Sequence, residues 1–174
     1  MEQVMYTVAV IASFSLFVAL AKGYFRVPLH IPGHSAIYVI PLMLLGRNAS
    51  RNRLGGTGIG GLSGVMMAFF GLGGGFLLGI PRYLFMGAVI DLILWSGSAH
   101  SGAVKLVAAA ALANFAKFFV GLVIASMVGI PVFFIQLGIT YSVVTHLTFG
   151  AIGGLLAFGA IRAFGRLQNQ RTTG

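Results

Sequence analysis

Asp91 is the residue whose chemistry most needs an explanation. The chain has two acidic residues, Glu2 and Asp91, and Asp91 falls within an apolar stretch, residues 79–94, GIPRYLFMGAVIDLIL. A carboxylate in such surroundings is costly to bury unless it is paired, so its default interpretation is functional or organising. Depths counted at about 1.5 Å per residue put Asp91 and Lys117 both roughly 16 Å below the outer face. We therefore expect a structural Asp91–Lys117 ion pair.

Further polar residues fall in the same half of other helices. Asn114 and Lys117 are three residues apart and share one helix face, and Tyr141 and Thr145 are four apart on another. Together with an outer loop they predict a ligand pocket that is open to the outside beneath a lid. The predicted substrate-binding residues are Arg26, His30, His34, Arg82, Tyr83, Asn114, Lys117, Tyr141, Thr145 and His146. The basic residues among them favour an anionic or zwitterionic organic ligand.

Several of these residues have plainer interpretations. Lys117 could only pair with Asp91 or extend its ammonium toward the interface, and His146 could only hydrogen-bond a neighbouring helix backbone. His30 and His34, four apart in a proline-broken loop, could bind a metal ion. Two histidines with no carboxylate or thiol nearby make a weak site, so we predict no metal and no cofactor.

The helices that must position these residues are those of a membrane protein. The 174 residues are 58% hydrophobic and 7% charged, against about 25% charged in soluble domains. We predict an all-α integral membrane protein, a six-transmembrane-helix bundle with a short, partly irregular second helix that contains Pro41. One domain covers residues 1–166, and residues 167–174 form a polar cytoplasmic tail. The predicted helices are 4–22, 36–45, 54–72, 80–95, 103–128 and 138–164, with 132–137 as a loop.

The basic residues indicate an orientation. Residues 47–53, RNASRNR, hold three arginines, and placing them in the cytoplasm puts both termini there as well. Only Arg26 and Arg82 then fall outside. The formal charge of +9 is thus explained by the positive-inside rule, and no nucleic-acid partner is predicted. The first apolar run lacks a basic segment before it, which favours a retained helix over a signal peptide. The prediction is a multi-pass protein of the plasma (inner) membrane.

No catalytic pattern is present, so we predict that the chain is not an enzyme. Two acidic residues exclude Asp-rich metal–diphosphate sites and most acid–base pairs. The glycine-rich run GLGGGF lacks the GK[ST] that completes a P-loop. Transport coupled to ATP would therefore require another subunit.

Six glycine-rich spans with short loops, in a chain of this length, resemble the substrate-binding S component of energy-coupling factor (ECF) transporters. Residues 79–92, GIPRYLFMGAVIDL, are similar to the Pro-Lys/Arg-Tyr opening and downstream Asp of that family. Ala9-xxx-Ser13 on the first helix is similar to its Ala-xxx-Ala docking pattern, with Ser in one small position. The predicted docking residues are Ala9, Ser13, Ser15 and Ala19.

The resemblance implies a mechanism and partners. An S component captures a vitamin-like molecule from outside and topples in the bilayer against a transmembrane coupling subunit driven by two ATPase subunits. Residues 23–35 would be its lid, and helices 4 to 6 would supply the ligand contacts.

Other functions stay open. Residues 30–34, HIPGH, are similar to the His-Ile-Pro-Asp-Gly run of cobalt and nickel S components, but the Asp is absent and the run does not start the chain. A scaffold subunit of a membrane complex would use glycine-rich helices equally well. A proton-coupled carrier using Asp91 would need no ATPase, whereas a membrane transferase needs an acid–base or metal set that these residues do not supply.

Overall fold

In a computed structural model, the chain is described over residues 1–25, 31–72, 78–95, 102–129 and 132–172, except for the side chains of 132–137 and 167–172. These segments form six helices and no strands, which confirms the all-α class and the order of the helices. The helices are α1 (Glu2–Tyr24), α2 (Ala36–Ser50), α3 (Gly55–Phe69), α4 (Gly79–Ile93), α5 (Ala103–Met127) and α6 (Val132–Thr172).

The second helix is longer than predicted, because Gly46 does not end it. A Cβ at Gly46 would meet Phe14 of α1 and Ile59 of α3 at 2.6 Å, so this glycine permits close packing inside the bundle. The helix ends instead at Ser50, and the next residue, Arg51, adopts the left-handed conformation with φ 53°. Arg47 therefore belongs to a helix and not to a loop.

The sixth helix also exceeds its predicted range at both ends. Residues 132–137, predicted as a loop, are helical, and so is the predicted tail as far as Thr172. Leu, Gln and Arg in the tail are good helix formers, and no proline or glycine interrupts residues 166–172. Polarity therefore does not end this helix.

In the described part of the chain, three helical segments are long and apolar enough to cross a membrane: Glu2–Tyr24, Ala103–Met127 and Gly138–Arg166. This fits an integral membrane protein. The helices α2, α3 and α4 have 15 residues each, or about 22 Å of length against an apolar core of about 30 Å. Six spans therefore remain a prediction.

Glycines bring α3 and α4 into close contact. A Cβ on Gly60 would overlap the carbonyl oxygen of Tyr83, and one on Gly87 would overlap that of Gly56. With no side chain on either surface, the two backbones touch. This contact fixes where the side chains of α4 lie relative to the start of α3.

Candidate functional site

Asp91 is paired with Arg47 and not with Lys117, so the predicted Asp91–Lys117 pair is wrong. Arg47 Nε donates to Asp91 Oδ1 at 2.7 Å, and Arg47 Nη2 donates to the carbonyl of Leu94 at 3.0 Å. The backbone N–H groups of Gly56 and Thr57 donate to the same carboxylate at 3.1 and 2.6 Å, and Thr57 Oγ1 adds a bond of 2.7 Å. Asp91 thus caps the N-terminus of α3 from a neighbouring helix.

Lys117 lies too far along the bundle to reach this carboxylate. Its ammonium sits 5.7 Å from the ring centroid of Tyr83 on α4. Asp91 comes eight residues after Tyr83 on the same helix, a separation of about 12 Å. The predicted pair was based on equal counted depths of Asp91 and Lys117. Arg47 was not considered as a partner of Asp91, because it was expected to lie in a loop after the second helix.

A cleft of about 290 Å³ lies between α4, α5 and α6. Its residues on α5 recur at helical spacing and form one face of that helix. They are Lys117, Phe118, Gly121, Leu122 and Ala125; Arg82 of α4 and His146 of α6 complete the lining. The cleft therefore combines two cationic side chains and an imidazole with an apolar wall.

The guanidinium of Arg82 lies against α5 at Gly121. A Cβ at that position would meet Arg82 Nε at 3.1 Å and Cζ at 3.4 Å. Arg82 Nε is buried, and it has no hydrogen-bond partner. Gly121 is not among the predicted site residues, although its spacing of four from Lys117 could have placed it on the cleft face.

The turn at residues 31–35, which precedes α2, packs over α5 and α6. Gly33 has φ +83°, and a Cβ there would meet the backbone and ring of His146 at 3.0 Å. Asn114 Nδ2 donates to the carbonyl oxygens of His146 at 2.8 Å and of Gly33 at 3.5 Å. Lys117 Nζ donates to Ser35 Oγ at 3.3 Å. The turn is thus attached to three of the predicted site residues, although Gly33 and Ser35 were not themselves predicted as site residues.

The remaining predicted site residues are less favourably placed for contact with a ligand in the cleft. Tyr83 is buried under Lys117, but Tyr141 is 55% exposed on the outside of α6. Thr145 Oγ1 donates to the carbonyl of Ser142 in its own helix, and His34 Nδ1 donates to that of Ile31. Arg26 and His30 lie outside the described residues.

The predicted docking residues divide between two faces of α1. Ala9 and Ser13 are exposed. Ser15 and Ala19 are buried in the bundle, where Ser15 Oγ donates to the carbonyls of Ile11 and Ile59. A partner chain cannot reach Ser15 and Ala19, so that half of the docking prediction is wrong.

Within the described segments, no group of three or more His, Cys, Asp or Glu side chains could hold a metal ion. No family model, curated protein or solved structure matches the chain. Inferences about function therefore depend on the residues and their geometry.

Proposed function

We propose that this chain is the membrane-embedded substrate-binding subunit of an importer of the ECF type, and that it captures a vitamin-like small molecule in the cleft between α4, α5 and α6. The observation that carries the proposal is the convergence of Arg82, Lys117 and His146 on this cleft. Ligand sites are typically concave, largely apolar, and furnished with a few polar groups that fix orientation.

The turn at residues 31–35 supports the same proposal. It belongs to the segment that the family resemblance assigns to the lid, and it packs directly on His146. Its contacts with Lys117 and Asn114 are few and polar. A segment held in this way can separate from the cleft without disrupting the bundle.

Delivery would involve a transmembrane coupling subunit and two ATPase subunits. The exposed residues Ala9 and Ser13 lie one turn apart on α1 and leave room for a close helix contact. Larger apolar side chains, among them Leu16 and Leu20, continue this exposed face. Ala9 and Ser13 are the docking residues that the proposal retains.

The deciding experiment is mass spectrometry of small molecules that copurify with the detergent-solubilised chain. We expect one molecule to be enriched with the wild-type protein and lost from Gly121→Leu, because the new side chain enters the cleft at Arg82. The matched control is Ser126→Leu, which adds a leucine at an exposed position of the same helix.

Uptake of the molecule so identified is then measured in proteoliposomes. We expect uptake to require the coupling subunit, both ATPase subunits and ATP. Retention of no molecule, or equal retention by Gly121→Leu, would favour a scaffold subunit. Uptake by the chain alone would favour an ATP-independent carrier.

A further inference from the structure

The cleft contains positive charge that the chain's acidic residues do not neutralise. The whole sequence has only two acidic side chains, Glu2 and Asp91. Asp91 is engaged by Arg47 and by the first turn of α3. Glu2 lines a different cavity, with Ser50 and Arg51. No acidic side chain is therefore left for Arg82 or Lys117.

The groups that do surround these cations are neutral or positive. Lys117 contacts the Ser35 hydroxyl and the Tyr83 ring, both uncharged, and it lines the same cleft as the cationic Arg82. Arg82 Nε is buried without a hydrogen-bond partner. A hydroxyl and a ring face offset only part of the cost of removing an ammonium from water, and an unpaired guanidinium N–H adds to that cost.

His146 provides the cleft with a hydrogen-bond acceptor, whereas Arg82 and Lys117 provide donors. A carbonyl oxygen can only accept, so the 2.7 Å contact between His146 Nδ1 and the carbonyl of Ser142 places the proton on Nδ1. In the neutral ring, Nε2 is then a hydrogen-bond acceptor. One turn from Lys117, Asn114 Oδ1 is a buried acceptor without a partner, while its amide nitrogen donates to the His146 and Gly33 carbonyls.

From this charge balance we infer, on the basis of the proposed function, that the substrate is a small organic anion that also carries a hydrogen-bond donor. The Arg82 guanidinium and the Lys117 ammonium bind its anionic group, and His146 Nε2 accepts from its donor. The apolar body of the molecule lies against Phe118, Leu122 and Ala125. The carboxylate of such a ligand neutralises the positive charge of Arg82 and Lys117, as an acidic side chain of the protein would.

The test uses benzoate as a probe on the purified full-length chain in detergent, at constant ionic strength set with chloride. We expect saturable binding of radiolabelled benzoate at millimolar concentration or below. Benzamide has the same shape without the charge and should bind at least about tenfold more weakly. 4-Hydroxybenzoate adds a donor and should bind more tightly than benzoate, with the advantage lost in His146→Phe.

Variants locate the binding in the cleft. Arg82→Gln and Lys117→Met should each weaken benzoate binding at least about tenfold, and Lys117→Arg should retain most of it. The control is Arg162→Gln, which removes a cation that stacks on Phe158 of α6 outside the cleft. Wild-type binding of the two matched probes does not depend on whether any variant folds.

Any of three results in detergent would overturn the inference. They are absence of saturable benzoate binding, equal affinity for benzamide, and an Arg162→Gln loss of benzoate affinity as large as that of Lys117→Met.

A lipid headgroup is the other source of an anion, so binding is repeated in nanodiscs of phosphatidylcholine with and without phosphatidylglycerol. Competition by phosphatidylglycerol would assign the cations to lipid and would also overturn it.

The inference and the proposed function can fail separately. Benzoate binding with no ATP-dependent uptake would keep the anion site and remove the importer. Uptake of a neutral copurified molecule would keep the importer and remove the anion.

Discussion

Two regions of the bundle hold charge in opposite ways. At the junction of α2, α3 and α4, the Asp91 carboxylate accepts from an arginine, two backbone N–H groups and a hydroxyl, all from within the chain. In the cleft between α4, α5 and α6, Arg82 lies against Gly121 of α5, and Lys117 contacts a hydroxyl and the ring of Tyr83 on α4. The comparison separates a charge that holds helices together from two cations that have no acidic side chain as a partner.

The difference shows why composition alone misleads about buried charge. A lone acid and a lone base at similar depth suggest each other as partners, but pairing depends on which helix faces bring them together. Here the basic side chain nearest to the acid comes from α2, and the lysine is left beside a tyrosine ring. A half-buried cation without an acidic partner is a candidate ligand-binding group, whereas an acid that accepts several hydrogen bonds from the chain has a structural role.

The largest expected effect is at the satisfied charge. Asp91→Asn should lower the free energy of unfolding by about 3–5 kcal/mol, because Arg47 is left buried without its counter-ion and α3 loses its cap. Denaturant unfolding in detergent, followed by circular dichroism, measures this. Glu2→Gln is the control and should change little, since Glu2 is exposed. A loss below about 1 kcal/mol for Asp91→Asn would remove the distinction between the two regions.

The next effect tests the close approach that brings α3 to Asp91. Gly87→Ala should cost about 1–3 kcal/mol, because its Cβ would overlap the carbonyl of Gly56 and push the α3 N-terminus away. Gly79→Ala in the same helix meets nothing within 4 Å and should be nearly neutral. The same unfolding measurement compares them, and equal stabilities would contradict the packing described for α3 and α4.

A third experiment concerns the turn over the cleft. Gly33 and Gly71 both have positive φ, +83° and +64°, so alanine at either position bears a strain of about 1–2 kcal/mol. Only at Gly33 would the new Cβ also meet His146. Gly33→Ala should therefore destabilise the protein more than Gly71→Ala and should speed hydrogen exchange of residues 34–39. Matching exchange rates in the two variants would show that the turn does not depend on His146.

The smallest expected change in stability is the most discriminating. Lys117→Met should alter the free energy of unfolding by less than about 1 kcal/mol or increase it, because it removes a charge with only a hydroxyl and a ring as partners. Arg47→Met, the same substitution at the satisfied site, should cost about 3–5 kcal/mol by leaving Asp91 unpaired. Equal losses in unfolding experiments would mean that both cations are structural.

The sequence pattern predicted the helices better than their ends. Apolar runs separated by Gly, Pro and basic clusters gave six helices in the observed order. The end of α2 was misplaced because a glycine signals a C-cap and a close helix contact equally well, and Gly46 serves the second purpose. Six membrane spans were a further step, and the 15-residue lengths of α2, α3 and α4 do not establish them.

The candidate site was predictable to the extent that helical spacing controls it. Lys117 and its neighbours share a face because of their spacing, and Arg82 lies near the start of α4, where the antiparallel α5 presents that face. The side-chain partners were not predictable, since the Asp91–Arg47 contact joins residues 44 positions apart. The roles of Ser35 and Gly33 depend on how a turn folds back over α6, which has no periodic signal.

The cap on α3 has a consequence for the order in which the chain is built. Six of the first ten residues of α3 are glycine, so the isolated segment resists becoming helical. The carboxylate that receives its first N–H groups is made 34 residues after Thr57. We therefore expect α3 to become stably helical only after α4 has been synthesised and can pack against it.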